Sequence, residues 1–457
     1  MAKDKKAAKE LTMEEKLAQA FVPVEEQPYK IPENWCWTTI DKVTYHISDG
    51  SHNPPINSEK GIPLLSAANI HNGIIDFESA NRWITEKDWE YANKRTKIEL
   101  NDVLVTIVAT IGRVAIVKSN KKFALQRSVA VLKPIINSDF LAYYLESPFV
   151  QSFMTNNAKG TAQKGFYLKT LAQMPCIIAP TTEQQCIVDH IKSIFAKLDE
   201  AKEKAQAVVD SFELRKSAIL HKAFTGELTK QWREESGLDM TGWRSLKLSD
   251  IFDVRDGTHD SPQYYDTGYP LITSKNLKNG RITEQDIKFI SCEDYKKINE
   301  RSKVSVGDIL FAMIGTIGNP TVIQTEPNFA IKNVALFKNV GKANSYYVKY
   351  YLESRYVIDK MRREAKGSTQ KFVSLGYLRE FPIDIPTKEE QEKIVCVINE
   401  IFSKEWQVKE EAENIIDKID IMKKSVLARA FRGELGRNNL MEGSSLEVLK
   451  MVLQRKK

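Results

Sequence analysis

The 457-residue chain is poor in the features that mark several large protein classes. Its five cysteines, at 36, 176, 186, 292 and 396, include no Cys-x-x-Cys pair. That favours a reducing cytoplasm and argues against a structural zinc site. The six histidines, at 46, 52, 71, 190, 221 and 259, have no metal-ligand spacing. No two glycines lie two positions apart, so the Gly-x-Gly turn of dinucleotide and adenosylmethionine folds is missing. No apolar run approaches the roughly 20 residues that cross a bilayer, and Met1 to Glu10 is charged rather than a signal core. What remains is 42% hydrophobic and 28% charged, enough for two or three ordinary cores. The excess of 67 basic over 60 acidic residues leans weakly toward a polyanionic partner.

The organising feature is an internal repeat. Asp49-Gly50-Ser51-His52 returns as Asp256-Gly257-Thr258-His259, and Gly61-Ile62-Pro63-Leu64 as Gly268-Tyr269-Pro270-Leu271, both displaced by 207 positions. Thr110-Ile111-Gly112 returns at 316–318, Tyr143-Tyr144-Leu145-Glu146-Ser147 at 350–354, and Ala158-Lys159-Gly160-Thr161-Ala162-Gln163-Lys164 at 365–371. The order never changes, which identifies a tandem duplication. Domains are therefore expected at 30–180 and 238–386, with helical spacers at 181–237 and 387–440, an N-terminal extension at 1–29 and a tail at 441–457.

Each globular part carries β-branched runs: Val103 to Val108, Val114 to Val117, Ile309 to Met313 and Val334 to Phe337. Asn-Gly turns stand at 72 and 279, and the pattern predicts an α/β globule in each copy. Pro180 and Pro386 then precede Thr181 to Gln184 and Thr387 to Glu390, which have the form of capping boxes opening long helices. One apolar ladder runs Ile191, Ile194, Leu198, Ala201, Ala205, Val208, Phe212 and Ile219, with Arg215 filling a gap. The other runs Ile394, Ile398, Ile401, Val408, Ala412, Ile415, Ile419, Met422 and Val426, with Glu405 as a break. Gly226 and Gly433 mark both ends. Two helices of some 40 residues, roughly 60 Å each, are expected to pack antiparallel in a coiled coil. The predicted fold class is α+β: two α/β globules joined by that helix pair, with pseudo-two-fold symmetry.

No catalytic constellation accompanies this architecture. Gly160 and Gly165 have the spacing of a phosphate-binding loop, but Phe166-Tyr167 replace its Lys and Ser/Thr. Asn53-Pro54-Pro55 shares the start of an amino-methyltransferase signature, yet Ile56 stands where a base-stacking aromatic belongs. The candidate binding residues are those that recur. Ser51 and His52, with Thr258 and His259, lie in turn-exposed loops, unless the motif merely closes a strand. Lys159, Gln163 and Lys164, with Lys366, Gln370 and Lys371, combine phosphate-binding cations with an amide able to pair with adenine. Arg113 (against Asn319) and Thr369 (against Ala162) mark positions where the copies differ and two half-sites could be told apart. Arg95 and Lys97, matched by Arg301 and Lys303, are expected to be surface charge, and Trp83 and Trp89, matched by Phe289 and Tyr295, core.

The helix starts at Pro180 and Pro386, the Asp-Gly-Ser/Thr-His and Thr-Ile-Gly segments, and the Ala-Phe-x-Gly-Glu-Leu endings at 223–228 and 430–435 together resemble the specificity subunit of type I restriction–modification systems. The resemblance covers about 30 to 440. It implies two target recognition domains, each reading half of a bipartite double-stranded DNA site, with the helices setting the unread spacer. It also implies two methyltransferase subunits, which use S-adenosylmethionine, and restriction subunits, which use ATP and Mg. On this reading the chain itself is not an enzyme, binds no cofactor or metal and is cytoplasmic. A duplicated protein–protein scaffold is the alternative, and an enzyme fused to its own methyltransferase or nuclease is disfavoured by the absent motifs.

Overall fold

The computed structural model describes residues 12–160, 164–368, 370–439, 441 and 443–455. It divides into two compact units: the chain up to Lys204 together with the chain from Ile415 onward, and Ala205–Asn414.

In the first unit a four-stranded antiparallel sheet has the order Thr44–Asp49, Val129–Pro134, Val103–Thr106, Val114–Ile116. Strand alternation distributes its side chains between two cores. Val103, Val105, Ala130 and Leu132 face helices Ser138–Glu146 and Pro148–Asn156, whereas Leu104, Val129 and Val131 meet Leu65 and Ile70 on the other side. A smaller sheet joins Trp83–Ile84, Ile62–Leu65 and Ala124–Leu125. The second unit repeats this plan with Phe252–Asp256, Val334–Asn339, Ile309–Ala312 and Gly318–Val322. Phe311 and Phe337 face its helices, and Leu310 and Leu336 the opposite core. Both Asn-Gly turns close hairpins, and their residues take the positive φ a tight type I′ turn needs: 51° and 72° at Asn72 and Gly73, 51° and 70° at Asn279 and Gly280.

The second long helix is continuous over Lys388–Ala430, but the first is broken into Thr181–Asp210 and Phe212–Phe224. The expected first helix is interrupted by a single turn residue, Ser211, through which backbone bonds to Ala207 O (3.1 Å) and from Arg215 N–H (3.0 Å) still run. The Ser211 hydroxyl donates back to the carbonyls of Ala207 (2.7 Å) and Val208 (3.1 Å), competing with the helical ladder in the way that bends helices.

Antiparallel pairing is visible inside each unit. In the first, Lys423 meets Asp199 at 2.5 Å and Lys202 meets Asp420 at 2.7 Å. In the second, the Phe212 and Trp406 rings lie 4.6 Å apart, and Arg215 pairs with Glu405 at 2.7 Å. The two polar interruptions of the apolar ladders are thus each other's partner. The ladder itself needs correction on its outer row: Ala201, Val208, Val408, Ile415 and Met422 are exposed or half-buried, while Phe402 and Leu427, off the expected row, are buried.

The helix ends dock as the Ala-Phe-x-Gly repeat suggests. Phe431 packs on Phe140 and Tyr144 with centroids 5.2 Å away, and Phe224 packs on Tyr347 and Tyr351 at 5.3 Å. The globule that opens with the first helix is thereby closed by the end of the second.

The capping boxes are also corrected. Thr181 is itself the first helical residue, and only Thr387 accepts from the backbone N–H three positions on, at 3.4 Å. The acidic residues are buried anchors instead. Glu183 accepts from the Arg437 and Asn438 N–H groups at 3.2 and 3.1 Å. Glu390 accepts from Thr229 (2.7 Å), Trp243 Nε1 (3.1 Å) and the buried Arg233 guanidinium. The N-terminal extension and the tail both join the first core: Leu17, Ala20 and Val22 are buried in one cluster with Val448, Leu449 and Val452 of helix Ser445–Arg455.

Candidate nucleic-acid interface

The strand directions in each four-stranded sheet bring one set of loops to one end. In the first unit these loops follow Asp49 and Thr106 and precede Val114 and Val129, so residues far apart in sequence become neighbours. The Asp-Gly-Ser-His loop is fastened by Ser51 N–H donating to the Leu125 carbonyl (2.7 Å) and Arg127 N–H donating to Ser51 (3.0 Å). This close passage explains the glycine. A Cβ at Gly50 would lie 2.2 Å from the Leu125 carbonyl oxygen, and one at Gly257 would lie 2.3 Å from that of Ile331.

The lysine loops arrive at the same end. Ala109 N–H donates to Lys164 O (3.2 Å) and Phe166 N–H to Ile107 O (2.7 Å); Gly315 N–H donates to Lys371 O (2.9 Å) and Val373 N–H to Met313 O (3.0 Å). Each lysine loop is therefore stitched to the turn carrying Thr-Ile-Gly. Lys159, Lys164, Lys366 and Lys371 are exposed, and among the described residues none forms an ion pair, so their charge is available to an anion. Gln370 lies exposed in the second loop, its amide against Gly315. Gln163 and Thr369 fall outside the described residues.

The histidines turn out to be held rather than free. In the first unit the buried Asp49 accepts from His52 Nε2 at 2.8 Å and also pairs with Arg95. In the second, Asp256 accepts from His259 Nε2 at 2.9 Å and pairs with Arg301. A carboxylate sunk at the strand end thus holds a histidine ring and an arginine guanidinium side by side. Arg95 and Arg301, expected to be ordinary surface charge, are part of this arrangement. The available signal was their recurrence at equivalent places in both copies. The copies differ in one respect: Asn333 Oδ1 lies 2.8 Å from His259 Nδ1, where the first copy has the exposed Arg127. With acceptors on both ring nitrogens, Asn333 first and Asp256 second, the His259 pKa is raised above the ordinary histidine value.

Arg113 reaches the Ile70 carbonyl through Nη1 at 3.3 Å, and the matching Asn319 holds the Leu277 carbonyl at 2.9 Å. The two side chains differ but brace the same hairpin. Ser51 Oγ donates to Asn53 O (3.0 Å) and Thr258 Oγ accepts from Asp260 N–H (3.1 Å), so both shape the loop that follows. Trp89 and Tyr295 pack into small apolar clusters, consistent with core. Among the described residues no group of His, Cys, Asp and Glu is arranged to hold a metal.

The family model described as type I restriction modification DNA specificity domain matches the chain twice, over residues 51–209 and 240–416. The chain is 22% identical over 425 residues to the specificity subunit of the type I restriction enzyme EcoKI from Escherichia coli strain K12, an alignment covering 89% of this chain and 90% of the relative. It is 33% identical over 221 residues to the EcoBI specificity subunit of Escherichia coli, covering 47% and 46% respectively. Among solved structures, the HsdS subunit from Thermoanaerobacter tengcongensis aligns with a TM-score of 0.58 at 18% identity, over 90% of this chain and all of that one. A chain from a type I R-M system complex aligns with a TM-score of 0.67, also at 18% identity, over 89% of this chain.

Proposed function

Since the chain belongs to the type I restriction–modification DNA specificity family, whose model matches it in two copies, we propose that it is the specificity subunit of such a complex and reads a bipartite double-stranded DNA target. Each globule reads one short block, and the helix pair sets the unread spacer. Two methyltransferase subunits bring S-adenosylmethionine for adenine methylation, and restriction subunits bring ATP and Mg for cleavage. The chain itself supplies recognition. The complex works in the cytoplasm, and no helix among the described residues is long and apolar enough to cross a membrane.

The observation that carries the reading is the duplicated loop cluster: in each copy a buried aspartate presents a histidine and an arginine, and exposed, unpaired lysines lie on the loop stitched to the neighbouring turn. Fixed cations of this kind suit phosphate oxygens, which set register, while adjacent side chains meet base edges. On this reading Lys159, Lys164, Lys366, Lys371, Arg95 and Arg301 bind phosphate, His52 and His259 sit beside them, and Gln163 and Gln370 are available to bases. Ser51, Thr258 and Arg113 shape the loops that carry them, and Thr369 is a further candidate for DNA contact.

The test is methylome sequencing of a host lacking adenine methylation that co-expresses this chain with its neighbouring methyltransferase gene. Two short specified blocks around a fixed unspecified spacer are expected. No motif at all would favour a protein-binding scaffold.

A further inference from the structure

The loop after each Asp-Gly-Ser/Thr-His motif ends nine positions on at a glycine, Gly61 in the first copy and Gly268 in the second. In the first copy its tip is Ile56, which is 92% exposed. This is not a loose loop end. Pro54 and Pro55 fix two φ angles, the Pro55 carbonyl accepts from Arg82 Nη2 at 2.9 Å, and Asn57 Oδ1 accepts from Trp83 N–H at 2.9 Å. Ser58 N–H donates to the Trp83 carbonyl at 2.9 Å, and Ser51 Oγ closes the other side on Asn53 O at 3.0 Å. The backbone on both sides of Ile56 is tied down while its side chain stands in water. Four positions earlier is His52, paired with Asp49 beside Arg95.

The second copy keeps one backbone bond of this loop, ties the rest down differently and changes the tip. Tyr265 N–H donates to Phe289 O at 3.0 Å, as Ser58 does to Trp83, and Lys332 Nζ braces Ser261 Oγ at 2.5 Å. The position equivalent to Ile56 is Gln263, also exposed. Equivalent loop positions, four residues after the histidine of the same Asp–His–Arg cluster, therefore hold out an apolar branched side chain in one globule and a carboxamide in the other. In the major groove an apolar side chain distinguishes thymine by its 5-methyl group, and a glutamine pairs with the N6/N7 edge of adenine.

We infer that positions 56 and 263 are specificity-determining: Ile56 packs on the 5-methyl group of a thymine in one half-site, and Gln263 bonds the edge of an adenine in the other. The inference rests on the DNA-reading function proposed above.

The experiment uses the full chain with its methyltransferase partner. Initial methylation rates and affinities are measured on duplexes carrying the site found by methylome sequencing, with each thymine of the first block replaced in turn by deoxyuridine. For the wild type, one replacement is expected to weaken binding about fourfold, the value of one buried methyl. I56A should bind thymine and deoxyuridine duplexes equally, keep its affinity for random duplex and leave the second block of the motif unchanged. Q263A should relax one adenine of the second block only. I56S serves as an independent second variant; both should fold normally, because the replaced side chain is solvent-exposed. The inference is overturned if I56A and I56S remain as sensitive to deoxyuridine as the wild type. It is equally overturned if no thymine in either block responds in the wild type. A wild-type complex that finds no specific site overturns the function proposed above, and this inference with it.

Discussion

Replacing Glu146 with glutamine should stabilise the first globule, and only above mildly acidic pH. Glu146 and Glu353 occupy equivalent places at the ends of helices Ser138–Glu146 and Ser345–Glu353, yet burial acts on them with opposite results. Burial pushes the Glu146 carboxyl up to about 7, with Lys423 as the opposing charge. Glu353 is also desolvated, but Lys349 and Lys216 contact it at 2.7 and 2.8 Å and together hold its pKa below the ordinary value. Two differences accompany it: the counterpart of Lys349 is Ala142, and Lys423, the counterpart of Lys216, makes its ion pair with Asp199 instead.

A carboxyl whose pKa is raised in the folded state favours folding least when ionised. Stability therefore falls as pH rises from about 4.5 to about 7 and is flat above that. From the ordinary 4.5 to about 7 at about 1.4 kcal/mol per pH unit, the ceiling is about 3.5 kcal/mol. Local relaxation reduces that, and about 2 kcal/mol is expected for E146Q near pH 8, with almost none near pH 4.5. A142K, which recreates the second lysine, should give a similar gain over the same window. A single unfolding free energy is poorly defined for a chain of two units, so the assay is hydrogen exchange of the Ser138–Glu146 amides between about pH 5 and about pH 8, corrected for intrinsic rates. The Ser345–Glu353 amides are the internal reference. Protection of the first helix that does not change with pH relative to the second, or an E146Q variant less protected near pH 8, would refute the reasoning.

The other predictions concern the DNA-facing loops. K164A and K371A should each weaken binding to target and random duplexes alike and lower the slope of log affinity against log salt by about 1; unchanged affinity for both duplexes in both variants would remove the lysine loops from the interface. D49N and D256N release the paired histidine and arginine while removing a negative charge, so binding to random duplex should hold or rise while target binding falls on the order of tenfold. A parallel rise on both duplexes would mean that the aspartates act only through charge. The raised His259 pKa keeps its ring charged further toward neutrality, so target affinity should fall as pH rises through that pKa, and H259Q should flatten the profile; an equally steep profile in H259Q would rule the ring out as the titrating group.

The duplication, the helix pair and the loop families could be read from the sequence because each rests on a periodic or recurring pattern. Val103 to Val105 and Ile309 to Phe311 are apolar at every position, and the structure shows why: each strand is covered by a core on both faces. What failed depended on partners that sequence does not bring together. Thr181 with Gln184 fits a capping box by spacing, but Glu183 is drawn to the Arg437 and Asn438 amides more than 250 positions away. Val408, Ile415 and Met422 satisfy a heptad on paper, while the seam follows the actual neighbours and leaves that row open. Arg95 and Arg301 recur at equivalent places, but recurrence alone does not separate them from surface charge until Asp49 and Asp256 are seen beneath them.

The two copies also act as a comparison of the protein with itself. Where the same bond survives in both, the position is structural, whether or not the residue is kept. Tyr144 and Tyr351 donate to the carbonyls of Pro175 and Pro382 at 2.8 and 2.7 Å, and Gln184 and Gln391 donate to those of Ala179 and Pro386, both at 2.8 Å. Arg113 and Asn319 are unlike side chains, yet each bonds the equivalent hairpin carbonyl, so part of their role is structural. Ile56 and Gln263 are the converse: they follow the same motif at the same distance, one backbone bond of their loop is kept, each side chain is exposed, and their chemistries suit different base edges. A sequence difference becomes a candidate for recognition only when the motif beside it is kept and the side chain is free. By that criterion position 56 with 263 ranks above position 113 with 319, an order that difference in the aligned repeats alone would not have given.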